Sequence, residues 1–218
     1  MRKNLAVAAR PRTLEDVAGN SVVKDVLRAA WKNPVPQILL AGPSGTGKTT
    51  LGRIWAAGLL CENNTDGTGG CTTCENCVRV IDGTHIDVVE MDAASHGGVD
   101  QIRELASGAN LMASGKWRIY IIDEAHGLSN AGAQAFLKLL EEPPEHIIFI
   151  LATTDPDKLP VALRSRCLYL ETSLPTVGQL IDNLRRVAAD ANINVDDDTL
   201  ASIVKVSEHR LEIGRAHV

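Results

Sequence analysis

The sequence has 218 residues, of which 44% are hydrophobic, and a formal net charge of −5. This length suffices for the core of one domain and part of a second, and the negative charge excludes a surface that is basic throughout, although a local nucleic-acid-facing patch stays compatible with it. The longest apolar runs fall far short of the roughly 20 residues of a membrane-spanning helix, and residues 1–12 lack the apolar segment of a secretory signal, so we expect a cytoplasmic protein with no membrane partner.

Short apolar runs alternate with helical patterns over the first 172 residues. The predicted strands are 37–41, 87–91, 118–122, 147–152 and 167–171. The predicted helices are 20–32, 48–60, 99–111 and 129–142. Because the run 119–122 shows no polar alternation, we expect it to be a central strand covered on both faces. The order predicts an α/β fold with a parallel sheet and helices on both faces.

After Glu171 the pattern is only helical. Pro175 is expected to open one helix that ends near Ala191, and the acidic stretch 196–198 to cap another that begins near Thr199. These two helices predict the start of a small second domain.

A glycine-rich segment lies between the first strand and the helix that follows it. The residues are Gly42, Pro43, Ser44, Gly45, Thr46, Gly47, Lys48, Thr49 and Thr50. This is the P-loop pattern in the strand and helix context that the motif requires. Backbone amides of such a loop surround phosphate groups, Lys48 supplies a charge to the β and γ phosphates, and the Thr49 hydroxyl is placed to ligate Mg²⁺. The sequence therefore predicts ATP and Mg²⁺ as cofactors.

Two carboxylates, Asp123 and Glu124, directly follow the apolar run 119–122. Alone, such a pair is usually part of a solvated loop. Beside a P-loop it predicts a second Mg²⁺ contact from Asp123 and a group that polarises the attacking water, Glu124.

Four of the five cysteines cluster at Cys61, Cys71, Cys74 and Cys77. Four thiolates suit tetrahedral Zn²⁺, and the polar, glycine-rich segment 62–70 could not pack a core unaided. An iron–sulfur cluster is the alternative, since CxxCxxC also occurs in such sites. We favour a structural zinc site, because nothing else in the sequence indicates electron transfer.

Several segments in register give the chain a family resemblance. They are the P-loop followed by the cysteine module, and the residues 91–95, 122–126, 140–146, 151–156 and 165–167. In this order they resemble the gamma/tau subunits of the bacterial DNA polymerase III clamp loader, which are P-loop ATPases of the AAA+ type. The resemblance runs from about residue 10 to about residue 208. It implies partners: other loader subunits in a ring, a sliding clamp and primer–template DNA.

The resemblance also implies roles for single residues. Thr154 matches the sensor position that reads the γ phosphate, and Arg166 matches the arginine finger that enters a neighbouring subunit's ATP site. Arg10, Pro11 and Val17 match the region that lies against the nucleotide base. The implied organisation is a nucleotide-binding domain over 1–172 with a zinc-binding insertion at 61–77, and a partial helical lid domain over 173–211.

Three departures from the family pattern are present. Residues 18–20 read Ala-Gly-Asn rather than Val-Gly-Gln, and Glu212 stands at the place of the second sensor arginine. Residues 212–218 match nothing in the family and read as the translation of a sequencing adapter. We expect these seven residues to be a non-native tail and the gene to continue beyond them.

Four functions compete on this evidence. The leading hypothesis is the ATP-hydrolysing motor subunit of a clamp loader. A helicase is suggested by the four residues 123–126, but 218 residues leave no room for its second motor domain. A stator-like subunit without turnover is disfavoured by the complete P-loop. The fourth hypothesis is a chain that binds nucleotide without hydrolysing it.

Overall fold

The carboxyl ends of all five predicted strands meet at one edge of a single parallel sheet. The computed structural model describes residues 9–64, 69–109 and 113–206. Within them the strands are β1 (Gln37–Ala41), β2 (Val88–Asp92), β3 (Arg118–Asp123), β4 (Ile147–Thr153) and β5 (Leu168–Glu171). Their spatial order is β2-β3-β4-β1-β5, and every neighbouring pair is parallel. The expectation of a parallel α/β sheet is confirmed.

In the part of the chain that the structure describes, one helix precedes β1, six lie in the crossovers between strands, and two follow β5. They are α1 (Ser21–Lys32), α2 (Lys48–Leu60), α3 (Glu75–Ile81), α4 (Ala93–His96), α5 (Val99–Ala109), α6 (Asn130–Glu141), α7 (Val161–Arg164), α8 (Val177–Asp190) and α9 (Asp197–Val206). Single 3₁₀ turns lie at Ala125–Gly127 and Pro156–Lys158. None of the helices within the described ranges is long and apolar enough to cross a membrane.

Alternate side chains of the central strands enter two different hydrophobic cores. Ile119 and Ile121 of β3 pack in the core that contains α1 and α2, whereas Tyr120 and Ile122 pack in the core that contains α5 and α6. Both faces are therefore covered by helices, as an uninterrupted apolar run predicts. The prediction for residues 119–122 is confirmed.

Helices α8 and α9 form a separate small core. Leu180 and Leu184 of α8 pack against Leu200 and Val204 of α9, and the half-buried Ala18 contacts the same cluster. Thr176 caps α8 in a reciprocal capping box with Gln179, which is why the helix begins after Thr176 rather than at Pro175. The two predicted helices are present, and the boundary of a lid domain at residue 173 stays a prediction.

Predicted element bounds differ from the observed ones by one or two residues at several ends, which is the usual uncertainty at helix and strand ends. Three short helices, α3, α4 and α7, were not predicted, because segments of four to seven residues are too short to show a helical period. The expectations for the tail 212–218 and for Glu212 concern residues outside the described ranges, as does the end of the predicted helix 99–111.

Candidate functional site

The glycine-rich loop curls at the carboxyl end of β1 and leads directly into α2. Gly42, Gly45 and Gly47 have φ angles of 149°, 81° and 89°, a region that favours glycine. Lys48 is 6% exposed, and its ammonium donates to the carbonyl oxygens of Gly42 and Pro43, both at 2.9 Å. The ammonium thus lies inside the curve of the loop, where the motif predicts it.

The first turn of α2 meets the end of β3. The Thr49 hydroxyl donates to Asp123 Oδ2 at 2.6 Å, and the Glu124 backbone amide donates to Asp123 Oδ1 at 2.9 Å. The pairing brings together two oxygen ligands that are 74 positions apart in sequence. A hydroxyl beside a carboxylate suits Mg²⁺, which prefers oxygen ligands and keeps several waters. The predicted Mg²⁺ ligands Thr49 and Asp123 are therefore adjacent.

The Glu124 carboxylate is held by the residue that follows β4 and by a histidine in the 3₁₀ turn that follows β3. Thr154 Oγ1 donates to Glu124 Oε2 at 3.0 Å, and His126 Nδ1 lies 3.3 Å from the same oxygen and 3.1 Å from Thr153 Oγ1. A carboxylate so close to Nδ1 favours the tautomer with the proton on that nitrogen, because an unprotonated Nδ1 would face it with a lone pair. Glu124 has a left-handed backbone with φ 46°.

Sequence reasoning placed Glu124 and Thr154 in the site but missed His126 and Thr153 as their neighbours. In the sequence, His126 stood out only as the last residue of the family segment 122–126 and of a helicase signature, without a role of its own. Its contact with Thr153 joins residues 27 positions apart, so it depends on β3 and β4 being neighbours. The signal that could have found it is a histidine two residues after the predicted water-polarising carboxylate.

Two buried threonines and the half-buried Asn20 join the loop to the segment after β5. Thr46 and Thr172 are 0% and 1% exposed, and their hydroxyl oxygens lie 2.8 Å apart. Asn20 donates from Nδ2 to the Thr46 carbonyl at 3.2 Å and accepts from the Ser173 amide at 2.9 Å. The sequence pattern gave no signal for Thr172.

The remaining predicted nucleotide-binding residues surround the loop unevenly. Val17 is buried, and its Cγ1 lies 3.8 Å from the position that a Cβ on Gly47 would take. Pro11 is buried, whereas Arg10 and Ser44 are exposed. Thr50, in the first turn of α2, is half-buried. The structure thus places Val17 directly beside the loop.

Arg166 lies outside this cluster, on the exposed segment between α7 and β5. Its guanidinium donates to Glu141 Oε1 at 2.7 Å and to the Ala162 carbonyl at 2.8 Å. The neighbouring Arg164 pairs with Asp157 at 2.9 Å. Arg166 is 36% exposed along its side chain, so a group from outside the chain can reach it.

The four clustered cysteines meet between the end of α2 and the start of α3. Their sulfur atoms all lie within 4.8 Å of one another. Sulfurs on a tetrahedral zinc with Zn–S bonds of about 2.3 Å are about 3.8 Å apart, so a small contraction would bring all four into ligand positions. Cys77 is buried, whereas Cys61, Cys71 and Cys74 are half-buried. The donor set fits a structural zinc site without an open position.

The thiols of this cluster differ in acidity. Hydrogen bonds from the Thr73 hydroxyl and from the backbone amides of Thr73 and Cys74 lower the pKa of the Cys71 thiol to about 5. Burial, together with the Cys74 thiol, raises the pKa of Cys77. Cys71 is therefore a thiolate at neutral pH, the form that binds metal, while Cys77 must lose a proton when it binds one.

Comparisons with known proteins agree with this architecture. The family model described as "DNA polymerase III, delta subunit" matches residues 20–175. The solved structure of the Thermotoga maritima RuvB Holliday junction branch migration motor superposes with a TM-score of 0.68 at 24% identity, over 94% of this chain and 62% of that one. At this identity the likeness shows the fold alone, a parallel α/β sheet covered by helices.

Curated relatives extend the match over nearly the whole chain. The chain is 38% identical to DNA polymerase III subunit tau/gamma of Haemophilus influenzae over 94% of its own length and 30% of that protein. It is 37% identical to DNA polymerase III subunit tau of Escherichia coli over 95% of its length and 32% of the relative. It therefore spans about a third of the length of these relatives. The chain belongs to the family of DNA polymerase III subunits whose family model it matches, and the curated relatives named above are tau and tau/gamma subunits.

Proposed function

We propose that this chain is the ATPase motor subunit of a DNA polymerase sliding-clamp loader. In this function, ATP binding and hydrolysis drive the loading of a sliding clamp onto primed DNA, within a ring that contains other loader subunits. The observation that carries the proposal is the Thr49–Asp123 contact at 2.6 Å, with Glu124 and Thr154 directly beside it. It joins residues of α2 and β3 with the residues that directly follow β3 and β4, at the edge of the sheet where the phosphate loop lies.

Each residue of this cluster fits one task in phosphoryl transfer. The amides of the loop and the Lys48 ammonium would hold the phosphates. Thr49 and Asp123 would hold Mg²⁺, which neutralises charge on the phosphate oxygens. Glu124 would accept a proton from the attacking water, and Thr154 would read the γ phosphate.

Binding of a γ phosphate would compete for two groups that now contact protein atoms. Lys48 donates to the carbonyls of Gly42 and Pro43, and Thr154 donates to Glu124. If both groups turn toward phosphate, the Thr154 bond to Glu124 is lost and the carboxylate is released toward the water. We propose that this exchange couples nucleotide binding to the readiness of Glu124.

The cysteine cluster is proposed to hold one structural Zn²⁺. Cys74 caps α3 by accepting from the Cys77 amide, and Cys77 Sγ lies 3.6 Å from the Ala57 carbonyl of α2. The metal would therefore fasten α3 and the segment 61–77 to the end of α2.

ATP turnover tests the motor hypothesis. Phosphate release would be measured for the chain alone, and then with a sliding clamp, primed DNA and the other loader subunits. We expect the added components to stimulate ATP turnover. Lys48→Ala should abolish this stimulation, because the phosphates lose the charge that contacts them. Arg166→Ala should also abolish it, because the finger acts on the site of a neighbouring subunit. Nucleotide binding without stimulated turnover would instead support a chain that binds nucleotide without hydrolysing it, and absence of binding would contradict both.

A further inference from the structure

The Thr46 and Thr172 hydroxyls make three hydrogen-bond contacts but have only two protons to donate. Thr46 Oγ1 lies 3.0 Å from the Pro43 carbonyl, Thr172 Oγ1 lies 3.0 Å from the Ala41 carbonyl, and the two hydroxyls lie 2.8 Å apart. Each hydroxyl has one proton to donate. If Thr172 donates to Thr46, then Thr46 donates to Pro43; if Thr46 donates to Thr172, then Thr172 donates to Ala41.

Both arrangements connect the phosphate loop with the segment that follows β5. The partners are 126 positions apart in sequence and both buried, so their bond is not weakened by competition with water. The Pro43 carbonyl at one end of the relay is also an acceptor for Lys48 Nζ. Thr46 and Lys48 therefore share the Pro43 carbonyl as an acceptor, and a change in the position of Lys48 alters the hydrogen bonding of that carbonyl.

The backbones approach closely at the same place. A Cβ on Gly42 would lie 2.1 Å from the Thr172 carbonyl oxygen, so only glycine fits there. The Thr172 amide donates to the Ala41 carbonyl at 2.7 Å. Asn20 makes a second connection between the same two segments, since it donates to the Thr46 carbonyl and accepts from the Ser173 amide. Helix α8 begins four residues after Ser173.

We propose that Thr172 is a positioning residue of the phosphate loop, which it preorganises for phosphate through the Thr46 hydroxyl. Thr172 is not a catalytic residue, because its hydroxyl contacts only Thr46 of the loop and Ala41 at the end of β1. Asn20 supports the same junction, so the orientation of α8 and the shape of the loop are coupled. This inference rests on the proposed nucleotide-binding function and extends it to the junction between β5 and α8.

The test compares Thr172→Val, which keeps the shape and removes the hydroxyl, with Thr172→Ser, which keeps the hydroxyl. The affinity for ADP and for a fluorescent ATP analogue would be measured for the full chain. We expect Thr172→Val to weaken binding about tenfold, in the range of one buried hydrogen bond, and Thr172→Ser to stay within about twofold. Binding stoichiometry should stay unchanged in both, because the loop is loosened and the fold is kept.

A double variant decides whether the two hydroxyls act as a pair. In Thr46→Val with Thr172→Val, both polar partners are replaced by apolar groups of similar shape, which costs less than leaving one partner unmatched. We therefore expect the double variant to lose less affinity than the sum of the losses in the two single variants. Equal affinity of Thr172→Val and the unchanged chain, or additive losses in the double variant, would overturn the inference and leave the proposed function standing.

Hydrogen exchange separates failure of the inference from failure of the proposed function. Without nucleotide, peptides covering 42–50 and 172–176 should exchange faster in Thr172→Val than in the unchanged chain or in Thr172→Ser. If the unchanged chain binds no nucleotide, the proposed function fails, and this exchange measurement still decides the coupling. Unaltered exchange in Thr172→Val would contradict it.

Discussion

Glu124 is the residue on which hydrolysis should depend most. Its backbone at φ 46° and its contacts with Thr154 and His126 fix one orientation of the carboxylate. Asp123 lies one residue earlier and faces Thr49, so the neighbouring carboxylates have different partners. A base and a metal ligand require this difference.

Glu124→Gln should therefore separate binding from turnover. We expect phosphate release to fall by about 100-fold or more, in the range of general base catalysis, while affinity for ATP stays close to that of the unchanged chain. Single-turnover phosphate release and equilibrium binding of a fluorescent ATP analogue measure the two effects. Asp157→Asn, on an exposed carboxylate paired with Arg164, serves as the matched control. Equal turnover in both variants would exclude Glu124 as the base.

At the scale of single residues, motif spacing predicted the loop, Asp123, Glu124 and the four cysteines. It could not predict Thr172, because its contact with Thr46 requires β5 to lie next to β1. Strand order is a tertiary property that hydrophobic periodicity does not encode. The same reason explains why His126 was missed.

Among the elements, the cysteine module and α3 depend on each other. The module supplies the cap of α3 through Cys74, and α3 has only seven residues, too few to be stable alone in water. The sequence predicted the metal ligands but not this helix. Metal binding and helix formation should therefore occur together.

Cys74→Ser should abolish the stoichiometric binding of zinc. We expect about one zinc per chain in the purified unchanged protein, measured by elemental mass spectrometry, and a clear loss in the variant, with a lower midpoint of thermal unfolding. Cys167→Ser is the control, because Cys167 lies away from the cluster and packs among apolar side chains. Iron with visible absorbance in place of zinc would support the alternative cluster.

The N-terminal segment and α8 are joined by an ion pair. Arg186 bonds the Asp16 carboxylate and donates to the Asp16 carbonyl at 3.0 Å. Burial acts to raise the pKa of Asp16, but hydrogen bonds from the Thr13 hydroxyl and the Arg12 amide, with the Arg186 charge, lower it overall. The charged carboxylate is thus favoured in the folded state.

Asp16→Asn should reveal a pH-dependent contribution to stability. Because the folded pKa lies below the unfolded value of about 3.9, the stabilisation is present above that value and is lost as pH falls through the folded pKa. We expect the variant to unfold more easily than the unchanged chain at pH 7, with the difference shrinking below about pH 4. Chemical denaturation at both pH values measures it. If the difference in unfolding free energy between the two chains were the same at both pH values, the charge of Asp16 would make no contribution to stability.

For the whole molecule, the hydrolytic cluster and the predicted finger lie on different parts of the surface. Arg166 is on the exposed segment before β5 and pairs with Glu141, whereas Glu124 and Thr49 lie at the carboxyl edge of the sheet. The motor hypothesis accordingly requires that one chain completes the site of the next. The family relationship supports the hypothesis, and the resemblance in sequence implied both the finger and a neighbouring subunit.

Mixing two inactive variants tests this requirement. Lys48→Ala removes a chain's own phosphate contact and keeps its finger, whereas Arg166→Ala does the reverse. In an assembly with the other loader subunits, clamp and primed DNA, we expect each variant alone to lose on the order of 100-fold or more of stimulated turnover. A mixture should regain a measurable fraction, since an intact finger then meets an intact site. No recovery in assemblies verified to contain both chains would contradict a finger that acts in trans.

Helix α2 connects two chemically different ends of the protein. Its first turn carries Lys48 and Thr49, and its last residue, Leu60, directly precedes Cys61. Thirteen residues at about 1.5 Å each make a rod about 20 Å long. Oxidation of the cysteine sulfurs would therefore loosen the far end of the helix that presents the phosphate contacts. The affinity for nucleotide should then fall when these thiols are oxidised, although they lie at the opposite end of α2 from the phosphate contacts.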